Sequence, residues 1–285
     1  MTAGDTMPPP EGAPLRRRRP WLGVAIALWT VLLFALAYLS VRHDEPTVPE
    51  QRDIAAAAEV VNKAIGELVA AVSDDVAVEI SAPRLTTGCR LTPLREGATL
   101  ERSVTVRTRE GAAPAELDEV ANRLPASFRA KVRTGTGGSA PSLRADAGEF
   151  VGVRGSLAGP DVLTLTATTG CRPASPDFDP AVELLIGLPI DEEPGRVLAA
   201  LGTTPRDPVD RVGAPCPGRG AAYTARAVAR DPVQVRPGRV LGPVAGATVL
   251  TDTPDRYVVR DGARSLVVER VEGELRVAVT DGCAQ

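Results

Sequence analysis

The chain has 285 residues, with 33 basic and 36 acidic side chains and a net charge of −3 at pH 7. Beyond Arg42 the balance is more acidic, with 28 basic against 34 acidic residues, so this region lacks the basic footprint of a nucleic-acid-binding protein. His43 is the single histidine. Catalysis by Ser-His-Asp or Cys-His groups and histidine zinc sites are therefore excluded from the rest of the chain.

The first predicted element is a transmembrane helix at residues 21–41. These 21 residues carry no charge and follow four consecutive arginines at residues 16–19. A helix of this length extends about 31 Å, which matches the hydrocarbon core of a bilayer. The arginines predict that the N-terminus is cytoplasmic and that everything beyond the helix lies outside the plasma membrane. Residues 1–20 are predicted to form a disordered cytoplasmic tail, because this segment is short and polar, and residues 42–49 a linker.

Two alternatives remain for this segment. A secretory signal peptide has the same order of positive charge and apolar residues, and Ala35-Leu36-Ala37 is a suitable cleavage site. Cleavage before Tyr38 would release a soluble protein, and export by the twin-arginine route would also fit the arginine cluster. The apolar run is long for a signal peptide and continues to Val41, which favours an uncleaved signal anchor.

The region after the linker is predicted to form two similar units, at residues 50–172 and 173–285. The sequence Thr-Thr-Gly-Cys-Arg at residues 86–90 recurs at residues 168–172, and Thr-Asp-Gly-Cys follows at 280–283. Apolar stripes predict a helix over residues 50–72, begun by a capping box at 47–50, and helical segments at 180–188 and 196–201. The first unit is also expected to contain a short amphipathic helix at residues 114–124.

The four cysteines are predicted to pair within the units, as Cys89–Cys171 and Cys216–Cys283. Four cysteines allow three pairings, and the repeat favours one bridge per unit. Strand-like alternation predicts that each second cysteine faces inward with the apolar residues before it: Leu163, Leu165 and Ala167 before Cys171, and Leu275, Val277 and Val279 before Cys283. Helices on one side of antiparallel strands predict an α+β fold.

Aromatic and arginine residues in this region have less specific interpretations. Phe150 and Tyr257 occupy similar places in the two units and are expected in the core. Five arginines in predicted strands are expected on solvated faces, with binding of anionic wall polymers or lipid headgroups as the alternative: Arg102, Arg107, Arg109, Arg226 and Arg230.

No catalytic, metal or cofactor motif stands out in the sequence. We therefore expect a single-pass membrane protein whose outer region is a non-enzymatic binding or scaffolding module of the cell envelope. Its expected partners are the membrane and either an envelope protein or an anionic polymer, and not nucleic acid. The alternative is an envelope hydrolase with paired carboxylates, which would have a deep cleft with two acids about 5–9.5 Å apart.

Overall fold

The computed structural model describes most of the chain, namely residues 20–43, 52–93, 95–135, 140–175, 177–180, 192–231, 236–242 and 245–283. Helix α1 (Pro20–His43) belongs to a first compact unit, Met1–Pro46, and the remaining described residues belong to a second, Thr47–Gln285. Over the described residues, no helix is both long enough and apolar enough to cross a membrane. The spanning role of residues 21–41 stays a prediction, and residues 1–19 and 44–51 lie outside the described residues.

The second unit contains helices and two antiparallel sheets, which confirms the predicted mixture of helix and antiparallel strand. The first sheet has the order β1-β3-β7-β6-β5-β4, with β2 also paired to β3. Its strands are β1 (Ala77–Ile80), β2 (Arg84–Thr92), β3 (Arg95–Arg107), β4 (Lys131–Arg133), β5 (Ser142–Asp146), β6 (Gly152–Leu157) and β7 (Val162–Thr168). Helices α2 (Ile54–Ala71) and α3 (Ala113–Arg123) pack against one face of this sheet.

The second sheet has the order β10-β11-β12-β13-β9-β8. Its strands are β8 (Asp210–Pro215), β9 (Ala221–Arg230), β10 (Thr248–Asp252), β11 (Arg256–Asp261), β12 (Arg264–Val271) and β13 (Glu274–Asp281). Helix α4 (Glu193–Ala200) contacts β9 and β13, and the short helix α5 (Pro237–Leu241) contacts β11.

The helix boundaries partly follow the sequence patterns. Helix α2 begins at Ile54 because the Asp53 carboxylate accepts a hydrogen bond from the Ala56 N–H at 3.0 Å. The expected capping box at residues 47–50 lies outside the described residues, as do residues 181–188. Helix α3 confirms the helix predicted at 114–124, and α4 covers most of the segment predicted at 196–201.

Both predicted disulfides are present, Cys89–Cys171 and Cys216–Cys283, with Cα–Cα distances of 5.9 and 5.6 Å. Cys283 is buried as the alternation predicts, but Cys171 is only half-buried. The difference arises because β7 ends at Thr168 and Gly170, with φ of +64°, turns the chain before the cysteine. Alternation therefore does not continue from the strand to Cys171.

One core joins the two halves of the second unit. Ile65 and Leu68 of α2 belong to the same buried cluster as Val212 of β8 and Cys283, which come from the other half. A separate cluster lies between the second sheet and α4, with Tyr257 and Leu198 among its members. All strands of the first sheet precede the predicted boundary between residues 172 and 173, and all strands of the second sheet follow it. The buried cluster, however, contains residues from both sides of this boundary.

The two predictions for aromatic residues have opposite outcomes. Tyr257 is 2% exposed, and its hydroxyl donates to the Gly242 carbonyl at 2.9 Å, which confirms a core position. The prediction for Phe150 is wrong, because its side chain is 60% exposed. It lies in the turn between β5 and β6 instead of inside a strand.

Strand β1 joins the two sheets. It pairs with β3 along one edge, and its other edge meets the face of the second sheet. The Val78 N–H donates to Ser265 Oγ at 3.0 Å, and the Ile80 N–H donates to Thr224 Oγ1 at 2.9 Å. Side-chain hydroxyls thus satisfy backbone groups that an open strand edge would leave unpaired.

Buried arginines complete this junction. Arg102 is 1% exposed and donates to Asn62 Oδ1 at 2.7 Å and to the Gly213 carbonyl at 2.9 Å. Burial, together with repulsion from Arg226, lowers the pKa of Arg102 to about 10. Arg107 pairs with Glu269 at 2.9 Å. The predicted solvated position is therefore wrong for both arginines. Arg102 lies on the side of β3 that faces the core, and Arg107 is covered by the second sheet.

The close approach of α2 to β8 gives a test of this packing. A Cβ added at Gly66 would lie 1.7 Å from the Pro215 carbonyl oxygen, a backbone atom that cannot rotate away. Helix propensity alone predicts that Gly66→Ala stabilises the protein by about 1 kcal/mol. We expect instead a loss of about 2–3 kcal/mol in the free energy of unfolding, measured in urea.

Gly152→Ala is the control, because an added Cβ there meets no atom within 4 Å. This variant should stay within about 0.5 kcal/mol of the wild type. Equal stability of the two variants would contradict the packing of α2 on β8.

Candidate functional site

The candidate site is part of the face of the first sheet that the helices leave uncovered. Side chains that point to the helices, such as Leu143, Val153 and Leu165, are at most 1% exposed. Alternate residues point the other way. Strand register aligns these outward side chains in two rows, one of Lys131, Arg144, Arg154, Thr166 and Ser103, and one of Arg133, Ser142, Ser156, Thr164 and Thr105.

We call these ten side chains the basic face. It consists of four cations and six hydroxyl groups, and it is bordered by the next row of the same face, which contains Asp146, Gly152, Thr168 and Glu101. All ten are half-buried or exposed. The cations lie on β4, β5 and β6, and the hydroxyl groups extend the surface across β7 to β3. Every member can therefore donate a hydrogen bond to an anion.

Like charges stand directly opposite one another on this face. Lys131 pairs with Arg144, and Arg144 with Arg154, so three cations follow one another across strands about 4.8 Å apart. Such placement destabilises a sheet. Within the described part of the chain, none of these cations has a carboxylate oxygen within 4.0 Å. The nearest acid on β5, Asp146, is instead paired with Arg129.

A shallow groove of about 390 Å³ follows the cationic edge of the basic face. It is lined by Arg129, Lys131, Arg133, Arg144, Ala145 and Asp146. Sites for small organic ligands are usually enclosed, whereas this groove is open to solvent. An open, cationic groove suits phosphate groups carried on a polymer or at a surface, which arginine and lysine bind by charge-assisted hydrogen bonds.

The arginines singled out from the sequence do not form this site. Arg102 and Arg107 are buried at the junction, and Arg226 donates to Glu79 at 2.8 Å. Arg109 and Arg230 are exposed but lie outside the basic face. The two arginine-rich strands that suggested anion binding are therefore not the strands that provide it.

The cations of the basic face have only a weak signal in the sequence. Each alternates with an apolar neighbour, as in Lys131-Val132-Arg133 or Val153-Arg154, which predicts an outward side chain. That pattern recurs in most of the strands. Their juxtaposition depends on the register in which the successive strands β4, β5 and β6 pair, which the turns between them set and alternation alone does not specify.

A second, smaller cavity of about 140 Å³ lies beside the Cys216–Cys283 disulfide and is lined in part by Asp74, Arg260 and Cys283. Arg260 donates to the Asp74 carbonyl at 3.3 Å and to Ser265 Oγ at 2.9 Å. Burial lowers the pKa of Arg260. This guanidinium group holds the end of α2 against β11 and β12.

Neither cavity brings together the two carboxylates that a hydrolase would need. The smaller one has Asp74 and the groove has Asp146 as its single acid. All four cysteines are in disulfides, so no thiolate is available as a nucleophile or metal ligand. Among the described residues, no group of three or more His, Cys, Asp or Glu side chains is arranged to hold a metal ion.

Comparisons with known proteins give little further information. No protein-family model matches the chain, and no curated protein matches it. The crystal structure of a DUF4853 family protein from Actinomyces odontolyticus is similar over 62% of this chain and 95% of that chain, with 14% identity and a TM-score of 0.37. A likeness at this level assigns neither a family nor a function.

Repulsion within the basic face predicts that it lowers stability. Arg144→Gln removes the middle charge of the row Lys131, Arg144 and Arg154, so we expect the free energy of unfolding to rise by about 0.5 kcal/mol at low salt. The gain should disappear near 1 M salt, where the Debye length is about 3 Å. Urea unfolding at the two salt concentrations measures both effects.

Arg84→Gln provides the matched control. Arg84 is also an exposed strand arginine of the first sheet, but it lies opposite Glu101. Its replacement should lower stability slightly at low salt. If both variants shift stability in the same direction, repulsion within the row is not the cause.

Proposed function

We propose that this protein is a single-pass, N-in membrane protein whose outer region is a non-enzymatic module that binds phosphate-bearing anionic ligands of the cell envelope. The observation that carries the proposal is the basic face, with four cations that lack carboxylate partners within the described residues. Anchorage is supported by the arginines at residues 16–19 and the uncharged run at 21–41. The two disulfides favour an oxidising, extracytoplasmic location.

The geometry suits a ligand with repeated phosphates. Neighbouring strands place cations about 4.8 Å apart, and successive outward residues along one strand are about 7 Å apart. Several phosphates can therefore contact different cations at the same time, with Ser142, Ser156 or Thr164 as further donors. Each contact on an exposed face is weak, but linked contacts add up to useful affinity.

The charge of the rest of the region restricts where such a ligand binds. Beyond Arg42 the acidic residues outnumber the basic ones, 34 to 28. The net negative charge of this region opposes non-specific binding of a polyanion, so attraction to the basic face gives orientation as well as binding. Hydrolysis by paired carboxylates has no comparable observation in its favour among the described residues.

Binding of long-chain polyphosphate to the full-length protein in nanodiscs tests the ligand. We expect the triple variant Lys131→Gln/Arg144→Gln/Arg154→Gln to lose at least about tenfold in affinity, because it removes three linked contacts of roughly 0.5–1 kcal/mol each. The salt dependence of binding should also become less steep, since fewer counterions are released from the polyanion. Fluorescence anisotropy of labelled polyphosphate measures both quantities.

The control carries the same change in net charge at another place. Arg84, Arg90 and Arg95 are exposed on β2 and at the start of β3. Their triple replacement by glutamine should leave the affinity within about twofold of the wild type. Equal losses in the two triple variants would mean that net charge, and not the basic face, holds the polyanion.

Orientation in the membrane is tested separately. In intact spheroplasts, external protease should remove a tag fused after Gln285 while a tag fused before Met1 stays protected, because the arginine cluster holds the N-terminus inside. Immunoblots with the two tags provide the measurement. Recovery of the mature protein from the medium, with Tyr38 as its first residue, would show that the apolar segment is a cleaved signal peptide.

A further inference from the structure

The turn between β5 and β6 presents an aromatic ring to solvent. Phe150 is 60% exposed, and the other exposed large apolar side chains described in the second unit are Val240 and Val249, at 43% and 41%. Tyr257 and Phe128, by comparison, are at most 7% exposed. A single exposed apolar side chain is common on protein surfaces, so Phe150 gains meaning only together with the structure around it.

The backbone of this turn is held in an unusual conformation. Glu149 and Phe150 have φ of 48° and 60°, in the left-handed region that residues with a Cβ rarely adopt. The Ala147 N–H donates to the Val151 carbonyl and the Val151 N–H donates to the Gly148 carbonyl, both at 2.9 Å. The turn is closed by its own hydrogen bonds and leaves the ring pointing away from the core.

A buried arginine fixes the turn to the rest of the fold. Arg172, which is 2% exposed, donates to the Glu149 carbonyl and, at 3.1 Å, to the Thr169 carbonyl. Its neighbour Cys171 is tied to Cys89 by the first disulfide. The ring of Phe150 is therefore presented on a rigid support and not on a free loop.

The turn continues directly from the basic face. The Asp146–Gly152 pair lies two residues further along the strands than the Arg144–Arg154 pair, a distance of about 7 Å. The turn follows directly after the Asp146–Gly152 pair. Arg52, which is nine residues after His43 in the sequence, pairs with Glu149 at 2.7 Å. The exposed ring therefore lies one row beyond the Arg144–Arg154 pair, and the two acids between them, Asp146 and Glu149, are each paired with an arginine.

We propose that the Phe150 turn and the basic face dock together on the anionic surface of the lipid bilayer, with the ring in the interfacial region and the cations on headgroup phosphates. The inference rests on the proposed function and names its ligand. A soluble polyanion would bind the cations but would not bury an exposed ring. Aromatic rings and basic side chains together are typical of surfaces that bind the membrane interface. Anchorage by α1 would compensate for the weak affinity of a single ring, because it keeps the lipid at high local concentration.

The experiment uses the full-length protein with Phe150→Trp as its one tryptophan, after Trp21→Phe and Trp29→Phe. In nanodiscs that contain phosphatidylglycerol we expect a blue-shifted emission and quenching by lipids brominated on their acyl chains. In phosphatidylcholine nanodiscs we expect neither effect, since the cations have no anionic headgroups to bind. Absence of quenching in phosphatidylglycerol overturns the proposal.

A second tryptophan position provides the control for ring placement. Val249→Trp in the same background puts an exposed ring on β10 of the second sheet, away from the basic face. It should stay unquenched in both lipids. Equal quenching at positions 150 and 249 overturns the proposal, because the unit would then contact lipid without a preferred surface.

Two further variants separate this inference from the proposed function. Phe150→Ser should bind soluble polyphosphate as tightly as the wild type, because it leaves all four cations in place. Lys131→Gln/Arg144→Gln/Arg154→Gln should lose polyphosphate binding and, combined with Phe150→Trp, should also lose quenching. If polyphosphate binds at the basic face and position 150 is not quenched, the lipid proposal fails while the proposed function stands. If quenching persists without the three cations, the joint docking fails.

Discussion

Strand β1 is a member of the first sheet along one edge and lies on the face of the second sheet along the other. Its Val78 and Ile80 N–H groups donate to hydroxyls of the second sheet, and Arg226 donates both to Glu79 and to the Ile80 carbonyl. These contacts satisfy a strand edge that would otherwise be open. They also decide what stays exposed: the helices cover one face of the first sheet, the second sheet covers Arg107 at the edge of the other face, and the basic face is part of what remains.

The elements that stabilise the fold also support the candidate surface. The backbone of Arg172 exchanges two hydrogen bonds of 2.8 Å with Ala98, and a Cβ at Gly97 would come within 2.2 Å of the Arg172 carbonyl oxygen. This close approach and the Cys89–Cys171 disulfide place the Arg172 guanidinium under the Glu149 carbonyl. The position of the exposed ring at Phe150 therefore depends on packing within the core.

The arginines at the junction and the cations of the basic face differ in their partners. At the junction Arg107 pairs with Glu269 and Arg226 with Glu79, while Arg102 donates to Asn62 and to a carbonyl. On the basic face, cations oppose cations across three strands. Leaving these cations without carboxylate partners sacrifices some stability at the surface, which is common where a surface serves a ligand.

Local patterns in the sequence were sufficient for the disulfide pairing, for α3 and for the buried alternation of strands such as β7, because these depend on the repeat and on residue periodicity. The position of Arg102 in the core and of Phe150 in solvent was decided by the tertiary structure, since a strand pattern does not say where its strand ends or what covers it. The candidate site depends on the same kind of information. Lys131, Arg144 and Arg154 lie on three successive strands, and they are neighbours because of the register in which those strands pair. That register depends on the turns between the strands, which alternation alone does not specify.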